Sequence, residues 1–201
     1  MITDQDQNKI ANYYDRLVDQ YGYDPRACDA SGAMPLKLRY EALAGVADLT
    51  GKSILEVGCG FGDLGIYFQQ KYAGVQYLGI DVSRRMIEEG QRVHPNLSLQ
   101  VGDILNMDEK EKFDIVVAQG IFYLLGNNAE MKMQRLIHKM FTLSKEALAF
   151  STISSWAPIK SDNEFNVDPV SLLVWCRTLT PYLVLKHEYL PNDVTIYLYR
   201  R

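Results

Sequence analysis

Short apolar runs and helical apolar spacings alternate along the chain from residue 53 onward. The apolar runs have the length of buried strands and lie at 53–57, 75–80, 97–101, 113–118 and 147–153. Between the first two runs, Leu64, Tyr67, Phe68 and Tyr72 recur at the spacing of one helical face. Such alternation predicts an α/β fold with a doubly wound, mostly parallel sheet.

About fifty residues precede the first predicted strand, and their pattern predicts a helical cap over residues 1–50 with the core at 51–201. Thr3 and Asp6 resemble a capping box, and Gly22 is a stop signal for the first helix. A second helix is predicted from Pro35 through Ala47, ended by Thr50-Gly51. We expect the whole chain to form one domain, because 201 residues is an ordinary domain size.

The last fifty residues predict a long loop, a helix and a hairpin. Residues 154–168 are polar and follow a predicted strand, so they are expected to line the ligand crevice as a lid. A helix is predicted at 170–178, followed by apolar stretches at 182–190 and 194–199. Pro191-Asn192-Asp193 between these stretches is a hairpin signal.

The first strand runs into three glycines at alternate positions, Gly58, Gly60 and Gly62. Glycines there allow a tight turn and close approach of the backbone to a ligand. The second strand ends in Asp81, a carboxylate suited to a ribose diol. Together these features predict a nucleoside site.

The type of nucleoside is less well defined by the pattern. Gly60 to Gly65 also matches the G-x-G-x-x-G dinucleotide fingerprint, which would suit NAD. Glu56 argues against a pyrophosphate, because an acid beside the glycine loop would repel phosphates and favour an ammonium or sulfonium cation. We interpret Asp63 as ordinary first-turn helix chemistry.

Four segments in order resemble the motifs of the class I S-adenosylmethionine-dependent methyltransferases. Ile54 to Gly62 resembles motif I, Tyr77 to Asp81 motif II, Val101 to Ile104 motif III and Phe113 to Ala118 motif IV. The resemblance implies a Rossmann-like sheet of seven strands with an antiparallel last strand, and S-adenosylmethionine as cofactor.

The resemblance also implies the cofactor-binding roles. Glu56, Gly58, Cys59 and Gly60 would serve the methionine end, beside Gln119 and Gly120. Asp81 would take the ribose hydroxyls, Val82 and Met86 would pack on the adenine, and Asp103 would accept from its amino group. Ile104 would add an apolar contact beside Asp103.

The acceptor side has weaker candidates. Tyr13, Tyr14, Tyr21 and Arg39 lie on the predicted cap and could line the active site, with Arg39 paired to the cofactor carboxylate. We therefore keep three tyrosines as weak catalytic candidates, namely Tyr14, Tyr21 and Tyr123. Weak substrate-binding candidates are Tyr13, Phe122, Trp156 and Phe165.

The three histidines, His94, His138 and His187, are expected to be solvated or structural, so no general base is identified.

Composition and charge argue against two classes of partner, nucleic acids and membranes. A formal net charge of −4 with no dense Lys/Arg block argues against nucleic acid. No apolar run approaches a membrane span, so we expect no membrane partner. Three widely spaced cysteines fit a reducing compartment without a metal pattern, and the N-terminus lacks a signal sequence, so a cytoplasmic location is predicted.

The function that we predict is methyl transfer from S-adenosylmethionine to an oxygen or nitrogen of a small molecule by in-line displacement. The chain reads Gln119-Gly120-Ile121-Phe122 after the fourth strand, so it lacks the Asn/Asp-Pro-Pro-aromatic signature of the nucleobase amino-methylating group. Two alternatives remain: an NAD-dependent reductase, and a methyltransferase-like module that binds the cofactor without catalysis.

Overall fold

The computed structural model describes residues 2–28, 33–161 and 163–200. Within these ranges the chain forms one seven-stranded sheet with helices on both faces. The helices are α1 Asp4–Tyr21, α2 Ala33–Ala44, α3 Asp63–Lys71, α4 Arg84–Val93, α5 Ala129–Leu143 and α6 Pro169–Cys176. Short 3₁₀ turns occupy Pro25–Cys28 and Ile104–Asn106. The strands are β1 Ser53–Val57, β2 Gln76–Asp81, β3 Leu99–Val101, β4 Phe113–Gln119, β5 Ser144–Ile153, β6 Leu183–Lys186 and β7 Asp193–Tyr199.

The strand order is β3-β2-β1-β4-β5-β7-β6. Strands β1 to β5 pair in parallel, and β7 runs antiparallel to both of its neighbours, β5 and β6. The predicted seven-stranded sheet, mostly parallel with an antiparallel last strand, is confirmed. The carboxyl ends of the parallel strands meet at one edge, where ligands bind in this architecture.

The central strands are buried on both faces, which explains their near-continuous apolar runs. In β1, Leu55 and Val57 pack into the core layer beneath α5 and α6, while Ile54 packs into the layer beneath α2, α3 and α4. The same alternation recurs in β4, where Val116 and Ile115 face opposite layers. Two apolar layers therefore hold the strand ends in fixed positions.

Two glycines are required by the backbone and packing where β1 turns into α3. Gly58 has φ +70°, and a Cβ there would lie 2.3 Å from Ile121 Cγ2. Gly65, the last glycine of the dinucleotide-like spacing, packs under the ring of Tyr77, because a Cβ at Gly65 would lie 2.5 Å from Tyr77 Cζ. The Gly65 position therefore has a packing reason that needs no pyrophosphate.

The N-terminal cap matches its predicted start and differs at its second helix. Thr3 and Asp6 form the capping box of α1, and Gly22 caps its end. The predicted second helix was wrong at its end, because α2 stops at Ala44 instead of continuing past Ala47. Its carbonyl at Ala44 accepts a hydrogen bond from Tyr72 at 3.3 Å. Gly45 follows Ala44 directly, and glycine commonly ends helices, so the end of α2 has a local signal that the prediction did not use.

The C-terminal elements agree with the prediction. Asp168 caps α6, with Pro169 in its first turn. Strands β6 and β7 form an antiparallel pair, as the hairpin signal indicated. None of the helices in the described ranges has the length and apolar character that crossing a membrane requires.

Candidate functional site

One cavity of about 450 Å³ opens at the carboxyl ends of the parallel strands, beneath the N-terminal cap. Its wall brings together every residue that the sequence predicted for cofactor binding. These are Arg39, Glu56, Gly58, Cys59, Gly60, Asp81, Val82, Met86, Asp103, Ile104, Gln119 and Gly120. Residues spread over 82 positions of sequence therefore share one site, while their individual roles stay predictions.

Asp81 lies at the end of β2 and is tied to the glycine loop. Its Oδ2 accepts a hydrogen bond from the Gly60 N–H at 2.9 Å, and its Oδ1 accepts one from the Ser83 N–H at 2.8 Å. Burial raises the pKa of the Asp81 carboxyl, while these backbone donors oppose the shift. Each carboxylate oxygen keeps a further lone pair for a ribose hydroxyl.

Glu56 has a protein partner that the sequence analysis did not identify. The Tyr77 hydroxyl donates to Glu56 Oε2 at 2.5 Å within the sheet. Gly79, opposite Glu56 in the β1–β2 register, leaves room for this hydroxyl. Burial raises the pKa of Glu56 to about 8, the Tyr77 hydrogen bond acts against it, and the charges of Asp63 and Asp81 add to the rise. Glu56 is thus a buried acid that a bound cation would help to ionise.

The side of the cavity next to β3 is formed by Met86, Val82, Ile104 and Asp103. Met86 and Ile104 are buried and contribute apolar surface to this part of the wall. Asp103 caps the short turn that follows, because its Oδ1 accepts from the Leu105 N–H at 2.9 Å. Asp103 therefore caps this turn and also lies in the cavity wall, and its contact with adenine stays a prediction.

Gln119 and Gly120 continue β4 to the cavity. The Gly120 N–H donates to the Ser151 carbonyl at 3.3 Å, which holds the strand end against β5. The buried Oε1 of Gln119 has no hydrogen-bond partner within the described residues. A buried acceptor without a partner is costly, so the wall suits a ligand with a hydrogen-bond donor.

Carboxylates dominate the charged groups of the cavity wall. Eight acidic residues line it: Asp6, Asp24, Glu56, Asp63, Asp81, Asp103, Glu164 and Asp193. Arg39 is the one Lys or Arg among the described wall residues. Its Nε donates to Asp193 Oδ2 at 2.7 Å, so its charge is already compensated. Asp6 and Asp24 are likewise paired, with Lys132 and Arg26. Asp81, Asp103 and Glu164 have no Lys or Arg partner within the described residues, and these carboxylates favour a cationic ligand.

The helix α1 lies across the cavity and is fixed at both ends. Near its start, Lys132 of α5 donates to Asp6 Oδ1 at 2.9 Å and to the Leu125 carbonyl at 2.9 Å. In its later turns, Asp15 accepts from Ser83 at 2.6 Å and Asp19 pairs with Arg85 at 2.7 Å. The cap is therefore attached to the first turns of both α4 and α5, close to the site.

Two of the three candidate tyrosines meet in the cavity wall. The Tyr14 and Tyr123 hydroxyls lie 2.5 Å apart and join the cap to the segment after β4. Tyr21 is placed elsewhere, under the guanidinium of Arg26 at 4.7 Å. Tyr13 packs edge-to-face on Tyr14, in a separate shallow depression on the outer side of α1.

The aromatic residues that were predicted to bind substrate lie outside this cavity wall. Phe122 is fully buried in the core and packs edge-to-face on Phe150, because the segment after β4 turns inward there. Trp156 is 53% exposed and stacks on His187 at 5.2 Å. Phe165 packs against the core layer below α5. Among the described residues of the predicted loop 154–168, Glu164 is the one in the wall.

Several wall residues were missed by the sequence reasoning. Thr152 lies in β5, a predicted strand with no predicted site role, and Asp193 begins β7, although the sequence pattern assigns it to a hairpin signal. The segment Pro25 to Cys28 joins the wall from the cap. The signal that could have found Asp193 is its position at the start of a strand beside the parallel set. Tyr77 had no such signal, since it reads as an ordinary strand residue.

Two of the three histidines make side-chain contacts, and His138 is exposed on α5. His94 Nε2 is 2.9 Å from Asp63 Oδ1, at the end of α4, and His187 Nε2 is 2.9 Å from Ser154 Oγ. Asp63 lies in the first turn of α3, as interpreted from the sequence, and also accepts from the Tyr23 hydroxyl at 2.7 Å. Within the described ranges, no three His, Cys, Asp or Glu side chains are arranged to hold a metal ion.

A family model described as a methyltransferase domain matches residues 48–190, about seven tenths of the chain. The chain belongs to this methyltransferase family. The resemblance drawn from the four motifs is therefore confirmed, and with it the enzyme class and S-adenosylmethionine as cofactor at the level of the family.

Relatives of the methyltransferase are distant. The phthiotriol/phenolphthiotriol dimycocerosates methyltransferase 1 of Mycobacterium ulcerans is 37% identical over 81 residues, which cover 39% of this chain and 30% of that protein. The tRNA1(Val) (adenine(37)-N6)-methyltransferase of Vibrio vulnificus is 25% identical over 126 residues, 59% of this chain and 53% of that protein. The methyltransferase thus spans about half or less of these curated relatives.

Among solved structures, the magnesium protoporphyrin IX methyltransferase of Synechocystis with bound SAM is similar over the full length. The superposition covers 100% of this chain and 99% of the Synechocystis chain, with a TM-score of 0.69 and 16% sequence identity. At this identity the likeness concerns the fold alone. The family assignment therefore rests on the sequence match, and the roles proposed for the site residues rest on the geometry of this chain.

Proposed function

We propose that the protein transfers a methyl group from S-adenosylmethionine to an oxygen or nitrogen of a small molecule, giving S-adenosylhomocysteine. The observation that supports this most is the acidic cavity beneath the cap, whose wall contains all twelve predicted cofactor residues. S-adenosylmethionine carries a sulfonium and an ammonium group, and an acidic wall attracts both.

In this proposal the cofactor lies along the ends of β1, β2 and β4. Asp81 accepts from the ribose hydroxyls, while its bonds to the Gly60 and Ser83 amides keep it in place. The unpartnered Gln119 Oε1 accepts from the methionine ammonium, which removes the cost of its burial. Asp103 accepts from the adenine amino group, and Met86 packs on the ring. The residues present thus fit the cofactor.

The chemistry asks little of the protein beyond alignment. Bound S-adenosylmethionine supplies a methyl group on a positively charged sulfur. The protein holds the acceptor in line with this group and keeps water out of the cavity. Helix α1 contributes to both tasks, because it covers the ends of the strands. The tyrosine pair, Tyr14 and Tyr123, borders the space where the acceptor would lie.

A small molecule is the acceptor that the cavity supports best. Its volume of about 450 Å³ is in the range of small-molecule sites. Asp81, Asp103 and Glu164 lack a Lys or Arg partner among the described residues, and the one arginine of the wall is compensated by Asp193, so the wall disfavours a phosphate backbone. We include a cytoplasmic location in the proposal, since the three cysteines are free thiols.

Parallel titrations of the purified protein with S-adenosylhomocysteine and with NADH test the cofactor. We expect S-adenosylhomocysteine to bind and NADH not to bind. Incubation with methyl-labelled S-adenosylmethionine and a pool of small metabolites then tests turnover. Cofactor binding without label in any small molecule would leave a binding module and contradict the proposed transfer.

A further inference from the structure

The acceptor end of the cavity is built from five parts of the chain: α1, the segment after β4, the end of β5, the segment that carries Glu164 and the start of β7. We use this name for Tyr14, Tyr123, Thr152, Glu164 and Asp193. The Tyr14 and Tyr123 hydroxyls meet at 2.5 Å, and the Phe165 N–H donates to the Tyr123 carbonyl at 2.9 Å. These bonds connect the cap, the segment after β4 and the segment that carries Glu164.

The same segment is also fixed to the end of β5. The Val167 N–H donates to the Ile153 carbonyl at 3.0 Å, and the Ser155 N–H donates to the Val167 carbonyl at 2.7 Å. Ile153 is in turn opposite Asp193 in the β5–β7 register. Backbone hydrogen bonds therefore hold the residues that follow Glu164 beside the ends of β5 and β7.

Thr152 contributes a polar atom that lacks a partner in this structure. The residue is 3% exposed, and its Oγ1 has no hydrogen-bond partner within the described part of the chain. It lies in the cavity wall. An unpaired buried hydroxyl costs about 1–3 kcal/mol, which a ligand group able to donate or accept a hydrogen bond would recover.

The charges at this end are negative. Glu164 forms no ion pair with any described residue, and Asp193 is paired with Arg39. Whether Arg39 keeps that partner or turns to the cofactor carboxylate, the described wall has no other Lys or Arg for an acceptor carboxylate or phosphate. An anionic acceptor would meet uncompensated repulsion here.

We infer that the acceptor is an amine, bound with its nitrogen near Glu164 and Thr152; this inference rests on the proposed methyl transfer. The ammonium form is attracted by Glu164, and its N–H groups have the free Thr152 Oγ1 as acceptor. An alcohol could satisfy Thr152 but would leave the Glu164 charge without a counter-ion.

The transfer step agrees with this choice. The bound ammonium first loses one proton to solvent by way of the Glu164 carboxylate, which frees the nitrogen lone pair. That pair forms the new C–N bond while the C–S bond breaks and its electron pair stays on sulfur as a thioether. The positive charge moves from sulfur to nitrogen, so the acidic wall faces a cation before and after the step. With an alcohol that loses its proton, the cation would disappear.

Matched probes test the inference on the full chain saturated with S-adenosylhomocysteine. The probes are 2-phenylethylamine, 2-phenylethanol and phenylacetate, together with hexylamine, hexanol and hexanoate, and their binding is measured by ligand-observed NMR titration. We expect each amine to bind about tenfold or more tightly than its alcohol and acid, since a charge-assisted hydrogen bond contributes at least that factor.

Two conservative variants test whether Glu164 and Thr152 bind the amine. Glu164→Gln should weaken amine binding about tenfold, and Thr152→Val should weaken it by a smaller factor. Glu111→Gln is the matched control, because Glu111 is exposed and distant from the cavity wall. S-adenosylhomocysteine affinity should stay unchanged in all three variants, which verifies that they are folded.

Equal binding of the three members of a probe set, preference for the acid or alcohol, or full amine affinity in Glu164→Gln would each overturn the amine assignment. The outcome is separable from that of the proposed function. Loss of S-adenosylhomocysteine binding, or no labelled methyl in any metabolite, contradicts methyl transfer, whereas amine selectivity in the probe sets supports the amine site by itself.

Discussion

The two ends of the cavity are built in different ways. The cofactor end consists of consecutive strand ends, β1, β2 and β4, whose loops follow directly in sequence. The acceptor end combines the end of β5 and the segment after β4 with α1, the segment that carries Glu164 and the start of β7, which are far apart in sequence. Glu164 and Tyr14 are separated by 150 positions, yet both reach the same cavity.

This difference indicates which part of such a fold can change its specificity for the methyl acceptor. Strand ends cannot move without disturbing two core layers, so the cofactor end is fixed by the stability of the sheet. The acceptor end depends on a cap and a loop segment held by a few polar bonds. Changes there can alter the acceptor while the cofactor end remains intact.

Asp81→Ala should have the largest effect and should act on the cofactor end alone. Removing the carboxylate takes two charge-assisted hydrogen bonds from the ribose, each contributing about 1.5–3 kcal/mol. Affinity for S-adenosylhomocysteine should fall on the order of 10²–10⁴-fold, as measured by isothermal titration calorimetry.

Asp108→Ala is a matched control for the loss of local structure. Asp108 accepts from the N–H of Lys110, two residues on, as Asp81 does from Ser83. It lies outside the cavity wall, so cofactor affinity should not change. If the two variants bind equally well, Asp81 has no ribose role and the two ends are less distinct than described.

A pH dependence of intermediate size is expected from Glu56. Because its pKa in the free protein is raised to about 8, the carboxyl is largely protonated at neutral pH and must ionise to face a cation. S-adenosylmethionine affinity should therefore increase with pH, by up to about tenfold per unit below pH 8, and level off above it. Glu56→Gln should remove this slope in calorimetric titrations from pH 6 to pH 9.

The same shift predicts the opposite trend for stability. Glu56 holds its proton more tightly folded than unfolded, so its contribution is fully present below the unfolded pKa near 4.5. It is lost as pH rises through about 8. Urea unfolding of the free protein should show this loss, and Glu56→Gln should lack it. A Glu56→Gln variant with an unchanged pH profile would remove Glu56 from both effects.

The smallest effect is expected at the attachment of the cap. Lys132→Met breaks the bond to Asp6 and leaves the Leu125 carbonyl without this donor, at a cost of about 1–2 kcal/mol. Amide exchange in the first turns of α1 should accelerate, whereas cofactor affinity should change by less than about threefold.

Lys110→Met is the control for Lys132→Met, because Lys110 is exposed and lies outside the cavity wall. A large loss of cofactor affinity in Lys132→Met alone would mean that the cap belongs energetically to the cofactor end.

Prediction from sequence succeeded where the signal is local. Gly58 to Gly62, Asp81 and Asp103 each follow a predicted strand directly, so their convergence at one sheet edge could be anticipated. Phe122, Trp156 and Phe165 were chosen for residue type and for closeness in sequence to the strand ends. Their directions depend on packing against Phe150, His187 and the core, which no local pattern encodes.

The end of α2 and the environment of Glu56 differ from expectation for different reasons. Gly45 directly follows Ala44 and is a local helix-end signal that the predicted helix did not use. The partner of Glu56 is set by a tertiary hydrogen bond from the Tyr77 hydroxyl, which periodicity along the chain does not show.

The interior position of β7 has a consequence for the order of assembly. Strand β6 leaves the ribosome before β7, yet it has no neighbour in the sheet other than β7. Until β7 inserts beside β5, the growing chain carries an unpaired β5 edge and a detached β6, both able to pair with other chains. Asp193 arrives with β7, so the pocket is also incomplete until this insertion. Insertion of β7 therefore completes the sheet and the pocket in the same step.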